Sequence, residues 1–304
     1  LGSDLAPKLA GGQESHGAPF GYHALLVPLL AFPLTLLLPA AALAAWRYRR
    51  EPGVRFALCW LVPTWLVFEL LPTKLVHYLM PAYGALAWLA VRALAEPIGG
   101  IARGLGAGLS AVIGLALAGG VFYLLSIYGD TTLVWSATLA AFLLGAAGLV
   151  GGALLLRRTP RPAVAAALVL ALLGHAVLAA AVAPGLTPLW LSARLERALD
   201  RARLLPRQGV AEAPVAVAGY AEPSLVFALG TATELDGPAE AAKAVVQNRP
   251  AIVEAKQEEA FRSALKAYGG KAREVANVSG INYSKGDAMT LRVYVAPGVS
   301  EAGR

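Results

Sequence analysis

A single cysteine, Cys59, stands in the 304-residue chain. It lies inside an apolar run, so no disulfide closes within the chain and no cysteine-based metal site can be assembled. Charge is also scarce: 15% of residues are Asp, Glu, Lys or Arg against 57% hydrophobic, with a mean hydropathy of +0.60. Water-soluble domains of this length are far more polar, so a bilayer is the expected solvent. The sequence has no Walker loop, no Ser, His and Asp in triad order and no zincin helix. Gly219 and Gly230 stand too far apart for a dinucleotide fingerprint. The net charge of +7 would suit nucleic acid, but no basic stripe is interleaved with aromatics. The arginines flank apolar runs instead, as topology signals do, and nucleic acid is set aside as a partner. The chain begins Leu1-Gly2-Ser3-Asp4 without initiator Met or signal sequence, and is expected to be the C-terminal part of something longer.

What is present is a series of uncharged stretches: Ala24 to Trp46, Gly104 to Gly129, Thr131 to Leu156 and Ala163 to about Ala183. Each matches the roughly 20 residues that cross the hydrocarbon as a helix. Two shorter runs, Phe56 to Phe68 and Leu75 to Val91, are bounded by Glu69 and Lys74 and are expected to extend past those charges at the interface. The expected fold is therefore an α-helical integral membrane bundle over residues 23–185 with about six spans. Arg47, Arg49, Arg50, Arg55, Arg92, Arg103, Arg157, Arg158 and Arg161 all fall on one side if every run crosses, and the positive-inside rule makes that side cytoplasmic. Residues 1–22, the Pro72 to His77 turn, Asp130 and the chain after Pro184 are then outside.

From about Leu186 the composition changes, with 28 of the 45 charged residues between Arg194 and Arg304. Residues 186–304 are expected to form a small soluble α/β domain. Leu189 to Leu205 places Leu191, Leu195, Ala198, Ala202 and Leu205 on one helical face and Arg194, Arg197 and Arg201 on the other. That pattern fits a helix on a membrane surface, a cap on the bundle or a solvated linker. Strands are expected over Val215 to Tyr220, Ala251 to Glu254, Glu274 to Asn282 and Met289 to Ala296. Helices are expected over Glu222 to Gly230, Ala239 to Gln247 and Gln257 to Tyr268.

Two blocks concentrate the polar chemistry. Lys74, His77 and Tyr78 are spaced i, i+3, i+4, so a helix beginning near Pro72 would put them on one face at the outer rim. An ammonium, an imidazole and a phenol together can neutralise and hydrogen-bond a phosphate at headgroup level. Simple interfacial anchoring is the other reading, because Lys snorkels and Tyr belongs to the aromatic belt. Glu14 and His16 sit two apart in a loop shaped by Gly11, Gly12, Gly17, Pro19 and Gly21. They could offer one oxygen and one nitrogen to a divalent, zinc-like cation, or simply hydrogen-bond the loop; two ligands alone do not make a site. His23, beside Tyr22, is expected at the interface, and His175 as a satisfied bundle histidine.

Gly12-Gln13-Glu14-Ser15-His16-Gly17-Ala18-Pro19-Phe20-Gly21-Tyr22, the Trp65 to Tyr83 stretch with Glu69-Leu70-Leu71-Pro72-Thr73-Lys74-Leu75 and His77-Tyr78-Leu79-Met80-Pro81, and a tail with Gly219-Tyr220-Ala221-Glu222-Pro223-Ser224 and Asn282-Tyr283-Ser284 closely resemble a bacterial family. It is the aminoarabinose-transferase and protein-mannosyltransferase-like family of polyprenyl-phosphate-dependent glycosyltransferases. The resemblance implies the GT-C architecture, a multi-pass protein of the inner membrane with a periplasmic C-terminal domain, and a polyprenyl-phosphate-linked sugar as donor. Lipid A or another glycolipid would be the acceptor, with membrane lipids around the spans. Transfer of a hexose to protein, or a non-catalytic lipid-binding or transport subunit, stand as alternatives. By the same resemblance His16 would match a loop histidine associated with a metal, and Lys74 and Tyr78 the pair that holds the carrier phosphate. Glu14, Tyr22 and His77 belong to the same blocks. The family's catalytic carboxylate lies in an outer loop expected upstream of this chain.

Overall fold

Proline placement decides where the first apolar run can be helical. Pro33 offers no N–H and drives the residue before it out of the helical region, so Ala24 to Trp46 is not one straight span. Helix α1 (Tyr22–Leu30) gives way to a 3-10 turn at Leu34–Leu37 and helix α2 (Leu38–Arg47), with a bend of 112° between the two arms. The computed structural model describes residues 18–72, 74–205 and 214–299, and the chain divides into two units, Leu1–Ala183 and Pro184–Arg304.

The first unit continues with α3 (Pro52–Leu70), α4 (Tyr83–Arg92), α5 (Gly100–Tyr128), α6 (Val134–Leu156) and α7 (Pro160–Val177), which runs on through a π-helical turn at Leu178–Val182. Among the described residues four helices are long and apolar enough to cross a membrane, or five if the bent pair counts as one. This count does not reach the expected six. The run from Leu75 to Val91 yields only a shorter apolar helix, Met80–Ala95, because Pro81, not Pro72, occupies the helix start.

Helices α5 and α6 meet backbone to backbone. A Cβ built on Gly148 would stand 2.3 Å from the carbonyl oxygen of Ser110, and one on Gly114 2.9 Å from the Cα of Gly148. Spacing by four puts Gly106, Ser110 and Gly114 on one stripe and Gly148 and Gly152 on the other. Such small-residue stripes let helices approach where lipid removes the hydrophobic drive for association. The outer faces are bare and large, with Ile101, Trp135, Phe142 and Leu172 all strongly exposed, as suits side chains solvated by acyl tails. At the arginine-bearing end Arg92 holds Glu51 through two hydrogen bonds of 3.0 and 3.2 Å, and its guanidinium lies 4.2 Å from the ring centre of Tyr48.

The second unit is built on a five-stranded sheet of order β2-β1-β3-β5-β4. Strands β1 (Ala216–Ala218), β2 (Glu234–Asp236) and β3 (Ala251–Glu254) are parallel; β5 (Asp287–Val295) runs antiparallel to both β3 and β4 (Arg273–Asn282). Alternation along the strands sends Val215, Val217, Ile252 and Val293 toward α8 (Leu191–Arg201) and α9 (Pro223–Leu229). It sends Ala216, Ala218, Val253 and Tyr294 toward α10 (Pro238–Val246) and α11 (Glu258–Ala267). Every strand and helix expected between Val215 and Ala296 is present within two residues of its expected limits, whereas the helix expected over Leu189 to Leu205 ends at Arg201. Strand β2 was not expected, because three residues bounded by charges carry no readable alternation. Gly219 at the end of β1 has φ +89°, and a Cβ there would lie 2.6 Å from the Cβ of Glu254, so this sharp exit requires glycine.

Candidate functional site

Lys74, His77 and Tyr78 do not share a helical face. Residues 74–75 are irregular and 76–79 form a turn before the 3-10 turn at Met80–Ala82 and α4, so the i, i+3, i+4 spacing loses its helical meaning. The three side chains nevertheless occupy one loop at the end of α3. Lys74 is more than nine-tenths buried, and its Nζ donates to the carbonyl of Leu71 at 2.9 Å. Among the described residues no carboxylate pairs with it. Tyr78 is partly buried, its ring 5.1 Å from that of Phe68 and 5.3 Å edge-on from that of His77. His77 itself is exposed.

The loop is held by a buried node around Glu69. Its Oε1 accepts the N–H of Gly21 at 2.6 Å, and its Oε2 lies 3.2 Å from Nδ1 of His23. The other ring nitrogen of His23 is 3.3 Å from the carbonyl oxygen of Leu75. Both side chains are almost fully buried, and a carboxylate so placed is tolerable only with donors like these. Gly21 caps α1 at φ +92°, which aims its N–H at Glu69. The node fastens Gly21 and His23 to the Trp65 to Tyr83 block, and through Leu75 it reaches the residue after Lys74. Sequence reasoning gave His23 an interfacial place; the buried pair corrects that. The readable signal was an acidic residue, Glu69, at the end of an apolar run with a histidine near the start of another. Tyr22 is partly exposed beside His23, with ring centres 5.3 Å apart. His175 is bonded within its own helix, Nδ1 donating to the carbonyl of Ala171 at 2.7 Å.

Glu14 and His16 lie outside the described residues. Among those described, no three His, Cys, Asp or Glu side chains gather closely enough to hold a metal.

The second unit carries its own polar cluster from the tail blocks. Ser284 Oγ donates to Glu222 at 2.9 Å, while Ser192 Oγ lies 3.0 Å from the Tyr220 hydroxyl and 2.8 Å from Ser224 Oγ. Burial is the main cause that pushes the Tyr220 phenol above its ordinary range. The blocks Tyr220 to Ser224 and Asn282 to Ser284 are thus brought together across the 62 positions that separate Glu222 from Ser284.

Over 83 residues, 27% of this chain, the sequence is 37% identical to an undecaprenyl phosphate-alpha-4-amino-4-deoxy-L-arabinose arabinosyl transferase of Proteus mirabilis, covering 15% of that protein. A Pseudomonas fluorescens protein of the same name is 34% identical over 119 residues, 38% of this chain and 22% of its own length. One from Erwinia tasmaniensis reaches 39% over 83 residues, 27% of this chain and 15% of its own length. The chain is related to the undecaprenyl-phosphate aminoarabinose arabinosyltransferases. The matched part spans less than a quarter of the length of these curated relatives. No family model and no solved structure matches the chain.

Proposed function

We propose that this chain is part of an inner-membrane glycosyltransferase that takes a sugar from a polyprenyl-phosphate carrier and passes it to lipid A or another glycolipid, and that the Lys74 loop receives the carrier's phosphate. The observation that carries the reading is Lys74 itself: a buried ammonium whose described partner is a neutral carbonyl. A charge in such a place calls for a counter-anion. The relatives' names supply its nature, an undecaprenyl phosphate. As the sugar leaves, negative charge grows on the phosphate, and the ammonium of Lys74 with the hydroxyl of Tyr78 would stabilise it. His77, exposed on the same loop, adds a donor at the approach. The polyprenyl tail finds solvent-like surroundings along the bare apolar helix faces. Deprotonation of the acceptor hydroxyl is assigned to a carboxylate outside this chain. Glu14 and His16 are proposed as two ligands of a divalent cation, on the sequence alone.

The test uses a full-length protein containing this chain, assayed for transfer and for bound metal by elemental analysis. Lys74→Ala should lose a charge-assisted contact of about 1.5–3 kcal/mol, weakening carrier binding or turnover roughly 10- to 150-fold; Tyr78→Phe should lose less. His16→Ala should lower metal content and transfer together. Normal carrier affinity and turnover in a well-expressed Lys74→Ala protein would make the residue an interfacial anchor, and equal metal in His16→Ala would remove His16 as a ligand.

A further inference from the structure

The arginines of α8 are absorbed by nothing described so far. Arg194, Arg197 and Arg201 recur at intervals of three and four residues along one face of the helix, opposite the buried Leu191, Leu195 and Leu199. Strand β4 lies beside that helix and adds Arg273 and Asn277. Between them runs a groove of about 540 Å³, lined by these five polar residues and floored by Ala198, Ala202, Val275, Ala276 and Val278. Among the described residues no acidic side chain lines it. Its volume lies in the range of small-molecule sites. The groove exists because α8 presents alanine at 198 and 202, where larger side chains would fill the space against β4.

Two of the four guanidinium groups are anchored. Arg194 Nη1 donates to the carbonyl of Ser279 at 2.5 Å, and Arg197 Nε to that of Ala193 at 3.1 Å. Arg201 and Arg273, one from each wall, make no hydrogen bond or ion pair among the described residues. Four like charges around one concavity repel, and an anion entering it relieves that repulsion while accepting planar, bidentate donors. Phosphate oxygens match this geometry. The apolar floor distinguishes the groove from a simple basic surface, since an inorganic ion gains nothing from Ala202 or Val275 whereas an attached acyl or alkyl portion does.

We propose that the groove between α8 and β4 binds a phosphate-bearing lipid headgroup, with Arg197, Arg201 and Arg273 holding the phosphate and the alanine and valine floor receiving the adjoining apolar portion. The site is distinct from the Lys74 loop and does not depend on the transfer reaction proposed above. The full chain, purified in neutral detergent, is titrated by calorimetry with dihexanoyl phosphatidic acid, dihexanoyl phosphatidylcholine and inorganic phosphate. Phosphatidic acid should bind more tightly than either of the others. The triple variant Arg197→Gln, Arg201→Gln, Arg273→Gln should weaken it at least about tenfold, as loss of charge-assisted contacts predicts. Ala202→Leu, which keeps every charge and fills the groove, should weaken it too; as a single change it serves if the triple variant does not fold. Undiminished binding in a folded Arg variant or in Ala202→Leu would overturn the site. Equal affinity for inorganic phosphate and the lipid would assign the groove to a free phosphate and overturn the lipid assignment.

Discussion

Glu69 does more structural work than any other ionisable residue of the first unit, because it is the acceptor that joins two loops. Glu69→Ala would leave the Gly21 N–H and the His23 ring buried beside nothing, an expected loss of about 3–5 kcal/mol. Glu69→Gln keeps an acceptor for Gly21 and should cost less. The check is the denaturation midpoint in detergent together with protease cleavage within residues 71–79, which should speed up in Glu69→Ala. Glu258 plays a comparable part in the second unit. Burial raises its pKa, but hydrogen bonds from Arg262 and Tyr294 and the charge of Arg292 outweigh this and hold the carboxyl below its ordinary 4.5. The Tyr294 hydroxyl donates to it at 2.9 Å and Arg262 Nε at 2.8 Å, and Arg292 pairs with its other oxygen. With the folded pKa depressed, the unfolded chain binds the proton first, so stability rises with pH through this window. The contribution is whole above about pH 4.5 and is lost as pH falls through the folded value. Glu258→Gln should lower stability at neutral pH by about 1.5–3 kcal/mol and flatten the acid limb of a melting-temperature profile. The sequence marked Glu69 and His23 as polar residues at the ends of apolar runs but paired neither cluster: Glu69 and His23 are 46 positions apart, Glu258 and Tyr294 36, and only the fold sets their separation.

Among the elements, the α5–α6 contact makes the sharpest demand on the sequence. Gly148→Leu must push the carbonyl of Ser110 away, so it should separate the helices and cost at least about 1–3 kcal/mol by overpacking. Gly120→Leu is the matched control, since a Cβ there meets nothing within 4 Å. Thermal stability in detergent should fall for the first and hold for the second. The long helices α5, α6 and α7 were readable because an uncharged stretch of that length has few other places to go. The start of α4 was not, because Pro72 and Pro81 are equally good first-turn residues on paper and only packing chooses between them. Likewise the bend at Pro33 and the brief strand β2 leave no periodic signal. In the second unit β3 and the end of β5 were readable as short apolar runs, buried on both faces between two cores, and the reading there was close.

At the scale of the whole molecule, the orientation expected from the positive-inside pattern, with the arginine joints in the cytoplasm and the second unit in the periplasm, can be tested directly. In a Cys59→Ser background an impermeant thiol reagent applied to intact cells with a permeabilised outer membrane should label Asp130→Cys and Lys285→Cys but not Arg49→Cys or Arg158→Cys. Labelling at position 49 would invert the orientation. Composition alone called for the long apolar helices. The expected six crossings exceed the count of long apolar helices because prolines bend the run from Ala24 to Trp46 and delay the helix of the run from Leu75 to Val91. Finally, α5 is 29 residues long, about 43 Å at the helical rise, against a hydrocarbon thickness of about 30 Å. Locked to α6 through touching backbones, it cannot shorten by coming apart, so the surplus must be met by leaning or by stretching the surrounding lipid. Hydrophobic mismatch of this sign costs a fraction of a kcal/mol per ångström, which makes acyl-chain length a determinant of how comfortably this protein sits and places it better in thick bilayers than in thin ones.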